Sequence, residues 1–193
     1  EELRPFYNRF PKLENFKAQI EEKQHSFSWE TRQVLMHSLK TQYASVDSSE
    51  VTENNINQLS DTNTFTITTG HQLNLFTGPL YFFYKISSTI NLCKQLKVAY
   101  PHQNFVPIYW MATEDHDFEE INYFNFRGQK VQWNREASGA VGALDLDGLD
   151  TVFEVFANQL NNATNAKTLK QLFKSAYLEH QNLTDAMRYL VNA

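Results

Sequence analysis

Apolar and polar positions fall into blocks along this chain, and the character of the blocks changes twice. Residues 13–43 place apolar side chains at helical spacing, interrupted near Ser26 and Ser28. Ser28 stands where a helix N-cap belongs, followed by Glu30 and Thr31 and then by Val34, Leu35 and Leu39. Residues 44–63 are polar, with only Val46, Val51, Ile56 and Leu59 as larger apolar residues, which predicts a connecting stretch with one short helix. Residues 64–69 then read TFTITT, a β-branched run that predicts a strand ended by Gly70. After a loop over 71–78 comes Pro79, a residue favoured in the first turn of a helix. That helix is predicted to reach Leu96, burying Leu80, Phe83, Ile86, Ile90, Cys93 and Leu96. Residues 105–112, FVPIYWMA, are nearly all apolar, as in a strand covered on both faces. Pro107 cannot donate to a ladder and predicts a strand start or a bulge.

Strand, helix and strand in this order form a βαβ unit, whose right-handed crossover gives a parallel sheet. The fold class is therefore α/β. A hairpin is predicted from 122–127 and 130–134 around Gly128, then helices at 149–160, 166–178 and 184–193. The organisation read from these elements is a helical N-terminal segment, 1–63, and the first part of the α/β core, 64–120. Residues 121–193, hairpin and helices, then read as the start of an insertion leading back to the core. Position 1 is not Met, and an amphipathic run of Leu183, Met187, Leu190 and Val191 reaches Ala193 without a Gly or Pro stop. The chain is accordingly read as part of a longer protein.

Composition narrows the function classes. Hydrophobic residues make up 41% of the 193 residues and aromatics 14%, enough to build a core and to exclude wholesale disorder. The net charge of −5 has no basic block behind it, which argues against a nucleic-acid binder. No apolar run approaches the ~20 residues that span a bilayer, so no membrane partner is expected. The single cysteine, Cys93, forbids an internal disulfide and is read as a small buried apolar residue in a reducing cytoplasm.

Ligands of open α/β sheets bind beyond the carboxyl ends of the strands, and that rule selects two loops. The first, Gly70-His71-Gln72-Leu73-Asn74-Leu75-Phe76-Thr77-Gly78-Pro79, joins a strand to a helix. Helix-start amides, two glycines, the side chains of His71, Gln72 and Asn74, and Lys85 inside the helix suit a phosphate or carboxylate. It matches neither a P-loop nor a dinucleotide fingerprint, and a plain strand-to-helix turn reads the same residues equally well. The second, Thr113-Glu114-Asp115-His116-Asp117-Phe118-Glu119-Glu120, sets five carboxylates around one histidine directly after Trp110 and Met111. His116 is a candidate acid/base near neutral pH, and the carboxylates could hold a substrate ammonium group. Their spacing fits no familiar zinc or calcium motif, so no metal ligand is assigned. An acidic surface turn is the alternative.

Both loops together resemble the signatures of the bacillithiol biosynthesis cysteine-adding enzyme family. Thr69-Gly70-His71-Gln72, Phe76-Thr77-Gly78-Pro79-Leu80-Tyr81 and Tyr84-Lys85-Ile86 resemble the first signature. The run from Val106 through Tyr109-Trp110-Met111 to Glu119-Glu120 resembles the second. The resemblance is weaker at Arg4-Pro5-Phe6-Tyr7 and at the C-terminal end. It implies a Rossmann-like parallel sheet with inserted segments, and a homodimer made by a C-terminal coiled coil outside this chain. Many members have Gln where this chain has His71, implying a hydrogen-bonding role that the two residues share.

The implied reaction adds cysteine to glucosaminyl malate through an amide bond between the cysteine carboxylate and the sugar amine. That carboxylate needs activation, so a nucleotide triphosphate, ATP, is the expected donor. On this reading Asp115, His116 and Asp117 are catalytic, while Gly70, His71, Gln72, Asn74, Gly78, Lys85, Trp110 and Glu114 bind substrate or nucleotide. The residues alone leave two other readings open. One is a synthetase- or nucleotidyltransferase-like domain with another substrate; the other is an inactive sugar- or nucleotide-binding module.

Overall fold

The computed structural model describes residues 3–193. In chain order it holds α1 (Phe16–Ser26), α2 (Trp29–Tyr43), α3 (Glu50–Gln58), β1 (Thr64–His71), α4 (Tyr81–Ala99) and β2 (Asn104–Met111). The short α5 (Phe118–Ile121) and the hairpin β3 (Tyr123–Phe126) and β4 (Gln129–Gln132) follow. Three helices come last: α6 (Leu149–Gln159), α7 (Thr164–Tyr177) and α8 (Leu183–Asn192). The helix starts obey their capping residues. Ser28 accepts from the Thr31 amide at α2, Ser49 from the Thr52 amide at α3, and Asn182 from the Asp185 amide at α8.

β1 and β2 form a two-stranded sheet. The Asn104 amide donates to the Asn63 carbonyl at one end, and the Ala112 amide to the His71 carbonyl at the other. Equal advance along both strands makes the pair parallel. These bonds direct the even-numbered amides of β2 toward β1, since strand amides alternate in direction. Pro107, being odd, lacks its N–H on the side away from β1, so the strand accommodates it without the expected start or bulge.

Two compact units divide the described residues. In the first, residues up to 68 combine with Thr89–Ile108, and Ile20, Ile56, Leu59, Phe65, Cys93, Leu96 and Val106 are buried. Arg32 is also buried there, at 3% exposure, and donates to the carbonyls of Leu59, Thr62 and Thr64. Its guanidinium lies 5.0 Å from the Phe27 ring centroid. Burial pulls its pKa below the ordinary arginine value, with Asp61 opposing. Burial also pushes the Cys93 thiol up to about 11, in keeping with an inert apolar role.

The second unit takes Thr69–Ser88 and Tyr109–Ala193. Its core gathers Leu73, Leu75, Phe82, Phe118, Ile121 and Phe124 with Trp133, Leu149, Phe156, Phe173, Tyr177 and Met187. The hairpin turns on Arg127 (φ 51) and Gly128 (φ 77), and two successive positive φ values match the right-handed twist of the strands it joins.

Three expectations are corrected. β1 runs through His71, so Gly70 is a strand residue rather than its terminator. α4 begins at Tyr81, and its buried residues are Phe82, Thr89, Cys93 and Leu96, while Leu80, Phe83 and Ile90 are exposed. The predicted set advances mostly in steps of three, which drifts around a helix of 3.6 residues per turn. Phe82, Ile86, Thr89, Cys93 and Leu96 alternate steps of four and three, which holds one face. Finally, β2 is only half-covered by the described residues: Val106 is buried, but Trp110 is 59% exposed.

Candidate functional site

The loop after β1 is built around a buried imidazole. His71 is 7% exposed, packed against Tyr81 with tilted rings whose centroids are 4.8 Å apart, and edge-on to Phe82 at 5.6 Å. Its Nδ1 lies 3.0 Å from both the Gln72 carbonyl oxygen and Asn74 Nδ2. Nδ1 either donates to that carbonyl or accepts from Asn74, which makes Nε2 an acceptor or a donor in turn. In either tautomer Nε2 is buried without a protein partner. Such a group lacks a hydrogen bond that a ligand oxygen could supply.

Asn74 is itself fixed by the turn that follows. Phe76 (φ 45), Thr77 (φ 72) and Gly78 (φ 57) are three successive left-handed residues, two of them carrying a Cβ. Strain of this kind costs about 1–3 kcal/mol per residue and persists only where neighbours over-determine it. A Cβ at Gly78 would collide with the Asn74 side chain, with Cγ at 2.8 Å, so glycine is required there. The amides of Phe76, Thr77 and Gly78 already bond to Tyr177 Oη, the Asn74 carbonyl and the Leu75 carbonyl. These three amides are therefore occupied, and the polar side chains gathered at the loop are those of His71, Gln72 and Asn74, with Lys85 beside them. Lys85 Nζ donates to the Gly70 carbonyl at 2.9 Å, which holds a cation beside the strand end.

The acidic turn after β2 meets this loop through one side chain. Gln72 Nε2 donates to Glu120 Oε2 at 2.9 Å, although 48 residues separate them. The Asp115 carboxyl is held below the usual carboxylate range, first by the Asp117 amide, which donates at 2.9 Å, and next by the Gln72 side chain. The His116 ring is exposed, and its Nδ1 lies 2.8 Å from the Glu114 carbonyl oxygen. A carbonyl only accepts, so Nδ1 carries the proton of this contact, and in the neutral tautomer Nε2 is the acceptor nitrogen. Glu114 and Asp117 are exposed beside it. Trp110 stands next to Gly70, where an added Cβ would lie 3.5 Å from its Cβ.

A third segment pins the turn from behind. The Val141 amide donates to the Asp115 carbonyl at 2.7 Å and the Gly142 amide to the Thr113 carbonyl at 3.0 Å. Thr184 Oγ1 in α8 donates to the Gly142 carbonyl at 2.8 Å. A Cβ on Gly142 would come within 2.6 Å of Thr113 Cβ, so glycine permits this close approach. A broad cleft of about 590 Å³ opens here, lined by Thr113, Glu114, Gly142, Asn182, Thr184 and Asp185 among others.

His71, Gln72, Asn74, Gly78 and Lys85 thus belong to one assembly, with Asp115 joined to it by Gln72. No side-chain hydrogen bond links His116 or Asp117 to the first loop among the described residues. Sequence reasoning passed over Tyr81, Glu120, Gly142 and Tyr177. Tyr81 stood there only as part of the first signature, yet it is half-exposed and covers His71. Glu120 was visible only as one carboxylate in a cluster, and nothing local marked the other two. Among the described residues no three His, Cys, Asp or Glu side chains converge as a metal site, and no helix is long and apolar enough to cross a membrane.

Comparison with known proteins gives the family of this chain. Residues 1–193 match the family described as "Bacillithiol biosynthesis BshC, N-terminal Rossmann-like domain". A relative from Flavobacterium johnsoniae named "Putative cysteine ligase BshC" is 57% identical over 192 residues, covering 100% of this chain and 36% of that protein. A Flavobacterium psychrophilum protein of the same name is 59% identical, covering 99% of this chain and 36% of its own length. One from Cytophaga hutchinsonii is 38% identical over all of this chain. The chain spans about a third of the length of these relatives. It belongs to the bacillithiol biosynthesis BshC family, as that family's N-terminal Rossmann-like domain.

Proposed function

We propose that this chain is the N-terminal part of a ligase that adds cysteine to glucosaminyl malate, in the biosynthesis of the thiol bacillithiol. The observation that carries the reading is the Gln72–Glu120 hydrogen bond, which joins a nucleotide-suited loop to an acidic turn at the carboxyl ends of two parallel strands. A nucleotide triphosphate, ATP, supplies the activation of the cysteine carboxylate. In the tautomer whose Nδ1 accepts from Asn74, the orphaned Nε2–H of His71 donates to its phosphate oxygens, with Gln72, Asn74 and Lys85 as the neighbouring donors. Trp110 and Glu114 border the substrates. The sugar amine attacks the activated carboxyl carbon, the C–N bond forms, the activating group leaves, and the amine proton passes to Nε2 of His116. Asp115 and Asp117 hold the amine in place and stabilise the imidazolium that results. The reading includes a cytoplasmic location and homodimeric pairing of the full-length protein.

The test uses the full-length enzyme with ATP, cysteine and glucosaminyl malate, following the thiol product by mass spectrometry. ATP-dependent formation of the cysteinyl amide is expected. ATP binding without that product would mean a synthetase-like domain with a different substrate.

A further inference from the structure

We infer that Tyr177, at the end of α7, is a positioning residue for the nucleotide loop, holding its strained turn through the Phe76 amide. The inference rests on the nucleotide reading of that loop. Tyr177 is 1% exposed, lies 101 residues from Phe76, and its hydroxyl accepts the Phe76 N–H at 2.8 Å. The Phe76 ring is enclosed by Phe124, Phe156 and Phe173, with centroids at 5.6, 5.1 and 5.3 Å. The Tyr177 ring packs on Phe173 at 4.8 Å. Ring and amide of one residue are therefore both fixed by side chains of β3, α6 and α7, and that residue opens the run of positive φ at Phe76, Thr77 and Gly78.

The consequence passes down the loop by contact. The turn sets Gly78 against the Asn74 side chain, and Asn74 Nδ2 lies 3.0 Å from His71 Nδ1. Orientation of the buried imidazole thus depends on a turn that left-handed Phe76 and Thr77 would not hold unaided. Tyr177 needs no contact with the nucleotide to govern its affinity.

The experiment measures the dissociation constant for ATP by calorimetry, and KM for cysteine, in the full-length enzyme. Tyr177→Phe keeps the ring and removes the acceptor. It should raise the ATP constant roughly tenfold and leave KM for cysteine unchanged. Adding Thr77→Gly, which makes a positive φ free of strain, should recover much of the loss. An unchanged ATP constant in Tyr177→Phe overturns the inference. So does a parallel rise in both constants that Thr77→Gly does not reverse, since that is a general structural defect. Absence of saturable ATP binding in the wild type sinks the nucleotide reading itself, a separate result. Should Tyr177→Phe fail to fold, amide exchange on the wild type decides: the Phe76 amide must exchange slowly, with further protection from Leu73 to Gly78 when ATP is added. Fast exchange at Phe76 overturns the inference.

Discussion

Gln72 and Glu120 share a 2.9 Å hydrogen bond across 48 residues of sequence, and it ties the two strand-end loops together. Gln72 also helps hold Asp115 ionised, so a single side-chain amide on the first loop serves two carboxylates of the acidic turn. Gln72→Ala should lower turnover about tenfold, the equivalent of one lost charge-assisted hydrogen bond. The contact is exposed, so the melting temperature should move by no more than a surface substitution usually causes. Steady-state kinetics beside a thermal melt checks this, and wild-type turnover in the variant would show that the loops act separately.

Asp115 sets a pH expectation with a definite sign. Its folded pKa lies below the ordinary value, chiefly because the Asp117 amide donates to the carboxylate. The stabilisation it gives the turn is therefore complete above the unfolded pKa of about 3.9 and is lost as pH falls through the lower folded value. A carboxyl titration by NMR should place the Asp115 midpoint below about 3.9. A midpoint at or above that value would contradict the geometry of the turn.

Arg32 makes a stability prediction in the other unit. Its guanidinium gathers the Leu59, Thr62 and Thr64 carbonyls at the entrance to β1. Arg32→Met keeps much of the apolar stem but leaves these carbonyls without that donor, a loss of about 2–4 kcal/mol. Arg32→Lys should recover little, since an ammonium cannot reproduce the planar fork. Denaturant unfolding of both variants measures the difference.

How much of this was legible in the sequence differs by element, for physical reasons. The α2 start at Ser28, the hairpin around Gly128 and the last three helices were readable because capping, turn chemistry and apolar period are local signals. The face of α4 was misread because the aromatic run Tyr81–Tyr84 offers apolar side chains in every direction, and tertiary packing chose Phe82. The strand-end loops stood out by content. Their junction did not, because the pairing of Gln72 with Glu120, or of Phe76 with Tyr177, is fixed by the fold and leaves no periodic trace.

Gly142 carries the next prediction. Its amide and carbonyl tie the Thr113 carbonyl to the Thr184 hydroxyl, and the space for a Cβ is filled by those same two residues. Gly142→Ala should cost about 1–3 kcal/mol by overpacking. It should also lower turnover more than Gln72→Ala does, because the strain displaces Thr113, where the acidic turn begins. Denaturant midpoints and kcat of the same preparations test both parts; full turnover with reduced stability would show that the turn tolerates the shift.

The acidic turn carries the prediction with the most chemistry in it. Glu114, His116 and Asp117 are exposed, and the turn is held by backbone bonds at Thr113 and Asp115 rather than by those side chains. Five neighbouring carboxylates repel one another, and a protonated amine placed among them relieves that repulsion. On the proposed mechanism His116, with its Nδ1 turned to the Glu114 carbonyl, uses Nε2 as the base that takes the amine proton. Asp115→Asn, His116→Asn and Asp117→Asn in the full-length enzyme should each reduce turnover by roughly 10²-fold or more. The melting temperature should stay close to wild type, because no buried packing is removed. Near-normal turnover in all three variants, with folding intact, would show that the carboxylates only bind and that the proton leaves by another route.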